Sequence, residues 1–233
     1  MNTAQEKPDE KSAEKNQKTS EVSGAQKLID FLQKNRKSLF IGFLAAIVIL
    51  AGSIIGISMR DKFRADAYSK VDTFNERYEA LRPNPASEDI NALLEEITAF
   101  AARNSGFVAA RAYSLSAGIY DEQERWAEAE KAWAAAARAA PKSYFAPISF
   151  FNAAVAAEEQ GNIESAIDLY TRVLEYENVF FIAARAQFSV GRLEEASDNS
   201  QAALEAYRSI LSKWPHDPLW ANLAQSRIIV LAD

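Results

Sequence analysis

The chain contains no cysteine. That excludes disulfides, thiolate metal sites and cysteine nucleophiles. It has a single histidine, His216, placed between Pro215 and Asp217. One imidazole cannot build a multi-histidine metal centre, and His216 has no partner nucleophile or base at a useful spacing, so it reads as a loop residue. Only 8 glycines and 7 prolines occur in 233 residues, and most of the chain is therefore free to be helical. Phosphate-cradling glycine loops and a Gly-x-Ser-x-Gly elbow are missing, so nucleotide binding and serine hydrolysis have no sequence support. Paired carboxylates do occur, at Asp121, Glu122 and Glu124, at Glu158 and Glu159, and at Glu194 and Glu195. Each group falls late in a helix or in the turn after it, which reads as a solvated helix end rather than acid–base machinery. No catalytic residue, cofactor site, metal site or small-molecule substrate is expected, and the chain reads as a non-enzyme.

The net charge of −6 is unevenly spread: residues 1–59 carry +2 and residues 60–233 carry −8. An acidic C-terminal part repels phosphate backbones, which argues against nucleic acid as a partner.

What the chain does have is one long uncharged run. Leu39 to Met59 contains no Asp, Glu, Lys or Arg, and 12 of its residues are Leu, Ile, Val or Phe. Twenty-one helical residues rise roughly 32 Å, close to the hydrocarbon thickness of a bilayer. Those side chains contribute about 4–7 kcal/mol towards insertion. Residues 39–59 are thus expected to be a transmembrane helix. Within it Gly52 and Gly56 form a Gly-x-x-x-Gly pair, the candidate contact for a second membrane helix. Basic residues flank both sides: Lys27, Lys34, Arg36 and Lys37 before, Arg60, Lys62, Arg64 and Lys70 after. The denser cluster at 34–37 favours a cytoplasmic N-terminus. Residues 1–24 hold one branched apolar side chain, Val22, and read as a disordered polar tail. Residues 25–38 read as a short amphipathic pre-membrane helix with Leu28, Ile29 and Leu32 on one side.

Beyond the span a period emerges. The segments from Trp126, Ile163 and Ser200 align so that alanines 129, 166 and 203 and aromatics 133, 170 and 207 each recur in steps of 37. One further step back reaches Ala92 and Ala99. Tyr113, Ala117, Tyr120, Trp126, Ala129, Trp133, Ala136 and Pro141 fall in frame in the first complete unit. Phe150, Ala154, Gly161, Ala166 and Tyr170 follow in the second, and Val190, Gly191, Ala203, Tyr207 and Pro215 in the third. These positions resemble the tetratricopeptide repeat, in which small side chains let two antiparallel helices touch and large ones fill the gaps. The expected fold is all-α: a single N-terminal transmembrane helix followed by a tetratricopeptide-type α-solenoid. Residues 60–104 read as linking helices or a diverged first repeat, 110–143, 147–180 and 184–217 as repeats 1 to 3, and 218–233 as a closing helix.

The resemblance also implies where a partner would bind. The first helix of each pair lines the concave face in such arrays. The groove candidates are Arg111 and Ser114 in repeat 1, Phe151, Asn152 and Val155 in repeat 2, and Arg185, Phe188 and Arg192 in repeat 3. Basic residues beside exposed aromatics would suit an extended peptide with acidic and apolar groups. The Lys and Asn set of the dicarboxylate-clamp version is missing.

The whole plan, including the pre-membrane stretch Phe31-Leu32-Gln33-Lys34-Asn35-Arg36-Lys37, is similar to the YfgM-like family, ancillary subunits of the SecYEG translocon. That resemblance implies a bacterial inner-membrane protein, single-pass, with a cytoplasmic N-terminus and periplasmic repeats. Its partners would be translocon subunits, periplasmic chaperones or exported chains, for which it would act as scaffold and co-chaperone. The alternative use of the same parts is a structural assembly factor in cell division or envelope construction.

Overall fold

The computed structural model describes residues 10–83, 88–178 and 180–232, with side chains described from Gln26 onward except at Ile57. Among the described residues there are nine α-helices and no strand. They are α1 (Glu10–Leu81), α2 (Glu88–Arg103), α3 (Gly106–Glu122), α4 (Trp126–Ala139), α5 (Phe145–Glu159), α6 (Ile163–Leu174), α7 (Ala183–Ala196), α8 (Ser200–Lys213) and α9 (Pro218–Ala232). The chain divides into two units, residues 1–63 and 64–233.

In the first unit α1 is continuous from Glu10. The polar stretch 1–24 was expected to be disordered, and residues 1–9 of it lie outside the described residues. Residues 10–24 are instead helical. Their Glu, Lys, Ala and Gln content favours helix locally. No break separates residues 25–38 from the apolar run. From Leu39 to Met59, Ile57 aside, the large apolar side chains stand exposed, Phe40 at 67% and Ile49 at 68% among them. An 18-residue window here has a mean hydropathy of 2.7 with none of it covered by protein. The hydroxyl of Ser53 donates to the carbonyl of Ile49 at 2.7 Å, so this polar group is satisfied within its own helix. Gly52 and Gly56 have open space where a Cβ would stand. Among the described residues one helix is thus long and apolar enough to cross a membrane.

The second unit is a row of helical hairpins. Residues 64–81 of α1 pair with α2; α3 pairs with α4, α5 with α6 and α7 with α8, each element packing on the next in sequence, and α9 packs on α8 and α7. The repeated alanines explain the close packing. Ala129, Ala166 and Ala203 are fully buried, as are Ala117 and Ala154 in the first helices that face them. Pro147 sits in the first turn of α5, where its missing N–H is an unpaired donor position anyway. Asp217 caps α9, its carboxylate accepting from the Trp220 N–H at 3.3 Å, with Pro218 at the first helical position.

The alanine period does not continue back into α2. Ala92 and Ala99 are exposed, while Ile90, Leu93, Leu94 and Ile97 are buried. Larger side chains fill this hairpin, against Val71, Phe74 and Tyr78 of α1. It therefore needs no small residues at the register of the later units. At the other end α9 covers α8 with Trp220, Ala224, Ile228 and Leu231, yet its outer face remains apolar, with Leu219, Leu223, Ile229 and Val230 exposed.

A second period lies in the turns. Glu124, Gly161 and Asp198, again 37 apart, have φ of 56°, 74° and 59°. Each ends the first helix of its pair in the same way. The following residue, Arg125, Asn162 or Asn199, donates its N–H to the carbonyl of Tyr120, Ala157 or Glu194 at 2.9 Å, the Schellman pattern. The polar turn at Ser197 to Asn199, which has no glycine, is thus built like the glycine turn, because aspartate tolerates the left-handed region. Glutamate tolerates it less. Glu124→Gly should therefore raise stability by about 0.5–1 kcal/mol, read as a higher midpoint in urea, and Asp198→Gly by less.

Candidate functional site

The first helices of successive hairpins enclose an open cleft of about 650 Å³. Residues 71–76 of α1 form one wall, Phe107, Arg111 and Ser114 of α3 the next, and Tyr144 and Phe145 at the start of α5 the third. A second, smaller cleft of about 440 Å³ lies between α7, α8 and α9 and includes Phe188, Arg192, Tyr207 and Arg227. The structure therefore brings Arg111 and Ser114 together in one cleft and Phe188 and Arg192 in the other.

The chemistry of these residues differs from the sequence expectation. Phe151 is not on the groove surface: it is 6% exposed and meets Tyr170 edge-on, with centroids 5.2 Å apart. Phe188 is half-buried, its ring 5.3 Å from Tyr207 and 5.4 Å from Trp220 of α9. Both aromatics fill core where the helix face turns inward. The cations are engaged as well. Arg111 donates to Asp72 at 2.9 Å, Arg192 to Glu158 at 2.6 Å, and the Arg185 guanidinium lies 4.9 Å from the Phe151 ring. Ser114 donates to the carbonyl of Ala110 at 2.8 Å. Asn152 and Val155 are half-buried, Val155 against the core around Phe150 and Tyr170. A surplus of free positive charge, which an acidic peptide would need, is not what this face presents.

The carboxylate clusters also have a different role from solvated helix ends. Asp121, Glu158 and Glu195 are spaced by 37, and each accepts from the aromatic residue twelve positions later. Trp133 Nε1 donates to Asp121 at 2.7 Å, the Tyr170 hydroxyl to Glu158 at 3.3 Å and the Tyr207 hydroxyl to Glu195 at 3.1 Å. Each bond ties the second helix of a pair to the end of the first. The next unit then adds a cation, Arg192 on Glu158 and Arg227 on Glu195. Burial pushes the Asp121 carboxyl above the usual carboxylate range, partly offset by the Trp133 bond. Burial, reinforced by the Glu158 charge, pushes the Tyr170 hydroxyl up to about 12. It is therefore a neutral donor at any physiological pH. Tyr78 behaves alike: burial and its 2.7 Å bond to Glu122 move it to about 12. These groups hold the helices and repeats together; Glu195 and Tyr207, with Arg192 and Arg227, also line the second cleft. The spacing of 37 between 121, 158 and 195 was the available signal, masked by the neighbouring carboxylates at 122, 124, 159 and 194. Among the described residues no group of three or more His, Asp or Glu side chains converges as a metal site.

Residues 117–179 and 151–218 each match the family model for the tetratricopeptide repeat. A 110-residue stretch is 36% identical to a protein of Treponema pallidum (strain Nichols) described as a TPR repeat-containing protein, covering 47% of this chain and 45% of that one. The chain thus spans about half the length of the curated relative it matches. Hairpins of 37-residue period, buried alanines at their contacts and these matches lead to one conclusion: residues 117–218 are built of tetratricopeptide-type repeats.

Proposed function

We propose that the protein is a membrane-tethered, protein-binding scaffold, acting as an ancillary translocon subunit or co-chaperone for exported chains at a bacterial inner membrane. Residues 39–59 would cross the membrane, with the N-terminus in the cytoplasm and the repeats in the periplasm. The observation that carries this reading is the pairing, in one chain, of an uncharged and uncovered apolar helix with a repeat array whose open cleft lies over its first helices. Tethering supports it physically: a weak binder held at a membrane meets emerging chains at a high effective concentration. The similarity of the pre-membrane segment and of the domain plan to the YfgM-like family supports the translocon setting.

A photo-crosslinking residue at position 144, which is 72% exposed at the cleft, tests the partner in intact cells. Translocon subunits and exported chains should be captured, and protease added to spheroplasts should digest the repeats. Capture of a fixed set of division or envelope proteins would favour an assembly factor instead, and repeats that survive until lysis would overturn the topology.

A further inference from the structure

The cleft between residues 71–76, α3 and the start of α5 carries a continuous aromatic surface. Phe107 is its hub, with ring centroids 6.4 Å from Tyr68, 6.2 Å from Tyr144 and 5.8 Å from Phe145. Tyr144 stands 72% exposed at the head of α5. A tyrosine presents a large amphipathic surface at little conformational cost, which suits a contact residue better than a core residue.

The charges around the rings have one sign to spare. The cleft lining holds two carboxylates, Asp72 and Glu76, and one cation, Arg111. Arg111 is committed to Asp72 at 2.9 Å, and its guanidinium lies 6.0 Å from the Tyr68 ring. Glu76 stands one helical turn beyond Asp72, and no cation pairs with it among the described residues. The net lining is therefore anionic and aromatic. A carboxylate beside ring faces is a favourable place for an ammonium or guanidinium, since both the charge and the ring quadrupole attract it.

We infer that this cleft binds an extended peptide segment in which a lysine or arginine lies close to a large apolar residue, with the apolar side chain on the Phe107–Tyr144–Phe145 rings and the cation at Glu76. The inference rests on the protein-binding role proposed above and fixes the chemistry of its ligand. It reverses the acidic ligand that the isolated positions of Arg111, Arg185 and Arg192 suggest, because Arg111, the one cation in this cleft, is paired with Asp72, Arg192 is paired with Glu158, and Arg185 lies outside the cleft lining, over the Phe151 ring.

The test uses the full chain in phosphatidylcholine nanodiscs and three fluorescein-labelled eight-residue peptides. One alternates Arg and Phe with Gly and Ser, the second has Glu in place of Arg, and the third has Ser in place of Phe. Anisotropy should show the Arg/Phe peptide binding about tenfold more tightly than either analogue. Tyr144→Ser should weaken it about five- to tenfold, a loss of ~1–1.4 kcal/mol. Glu76→Gln should weaken it about threefold and flatten its salt dependence. Both side chains are exposed, so folding is not at stake. Tighter binding of the Glu/Phe peptide would overturn the proposed ligand class while leaving a peptide-binding groove. Equal affinity for Tyr144→Ser, or no binding of any peptide, would overturn the site itself. Crosslinking from position 144 in cells still reports on the broader role in either case.

Discussion

Phe74→Ala should cost about 3–5 kcal/mol, the range for truncating a buried phenylalanine. Phe74 is 2% exposed, within residues 64–81 of α1. It meets Phe100 of α2 edge-on at 5.5 Å, and the Lys70 ammonium stands 4.9 Å from its ring. The neighbours that would have to collapse into the void are Val71, Ile90, Leu93 and Ile97, branched side chains on two helices that cannot approach further without moving backbone. In an array where each hairpin touches only its neighbours, a loss at one end stays local. The variant should therefore melt in two steps. Amide exchange should accelerate across α2 while α5 to α8 keep their protection. A single unshifted transition, or equal loss of protection throughout, would contradict an independent terminal hairpin. Ala92→Gln, on the exposed face of α2, should change stability by less than about 0.5 kcal/mol.

Two glycine-to-alanine substitutions should have opposite signs. Both glycines lie inside helices, where alanine is favoured by about 1 kcal/mol. At Gly118 of α3 nothing lies within 4 Å of the added methyl, so Gly118→Ala should stabilise by about that amount. At Gly191 of α7 the methyl would stand 2.6 Å from Cε1 and 2.9 Å from Cδ1 of Tyr207. That ring is fully buried, flanked by Phe188, and held by its hydroxyl on Glu195, so it has nowhere to go. Overpacking of this kind costs about 1–3 kcal/mol and outweighs the propensity gain. Gly191→Leu should cost more still. Chemical denaturation of the two alanine variants side by side measures the contrast. A stabilised Gly191→Ala would mean that α7 and α8 do not approach this closely.

The steps of 37 were readable because helix contacts in a hairpin array demand small residues at fixed places. Ala129, Ala166 and Ala203 met that demand and are fully buried. The same step governs the left-handed turns and the carboxylate–aromatic bonds. There it was harder to see, because Glu124 and Asp198 do not announce a positive φ, and Asp121 beside Glu122 and Glu124 looks like any solvated cluster. The groove residues were the least legible. Family position puts Phe151 and Phe188 on the first helix, but whether a ring on that helix faces the cleft or the next hairpin depends on a rotation of a few tens of degrees.

Side-chain pattern along the chain was sufficient, by itself, for the apolar helix, the helical hairpins and their period. Each follows from local propensity and from the apolar spacing that lets neighbouring helices bury a common face. Which cations are free, which aromatics are exposed and which carboxylates carry load were decided only when residues 34 to 40 positions apart met across adjacent hairpins: Arg111 with Asp72, Arg192 with Glu158, Arg82 with Glu122. Those meetings set the sign of the cleft, since a charge acts on a ligand only to the extent that its own neighbours leave it uncompensated.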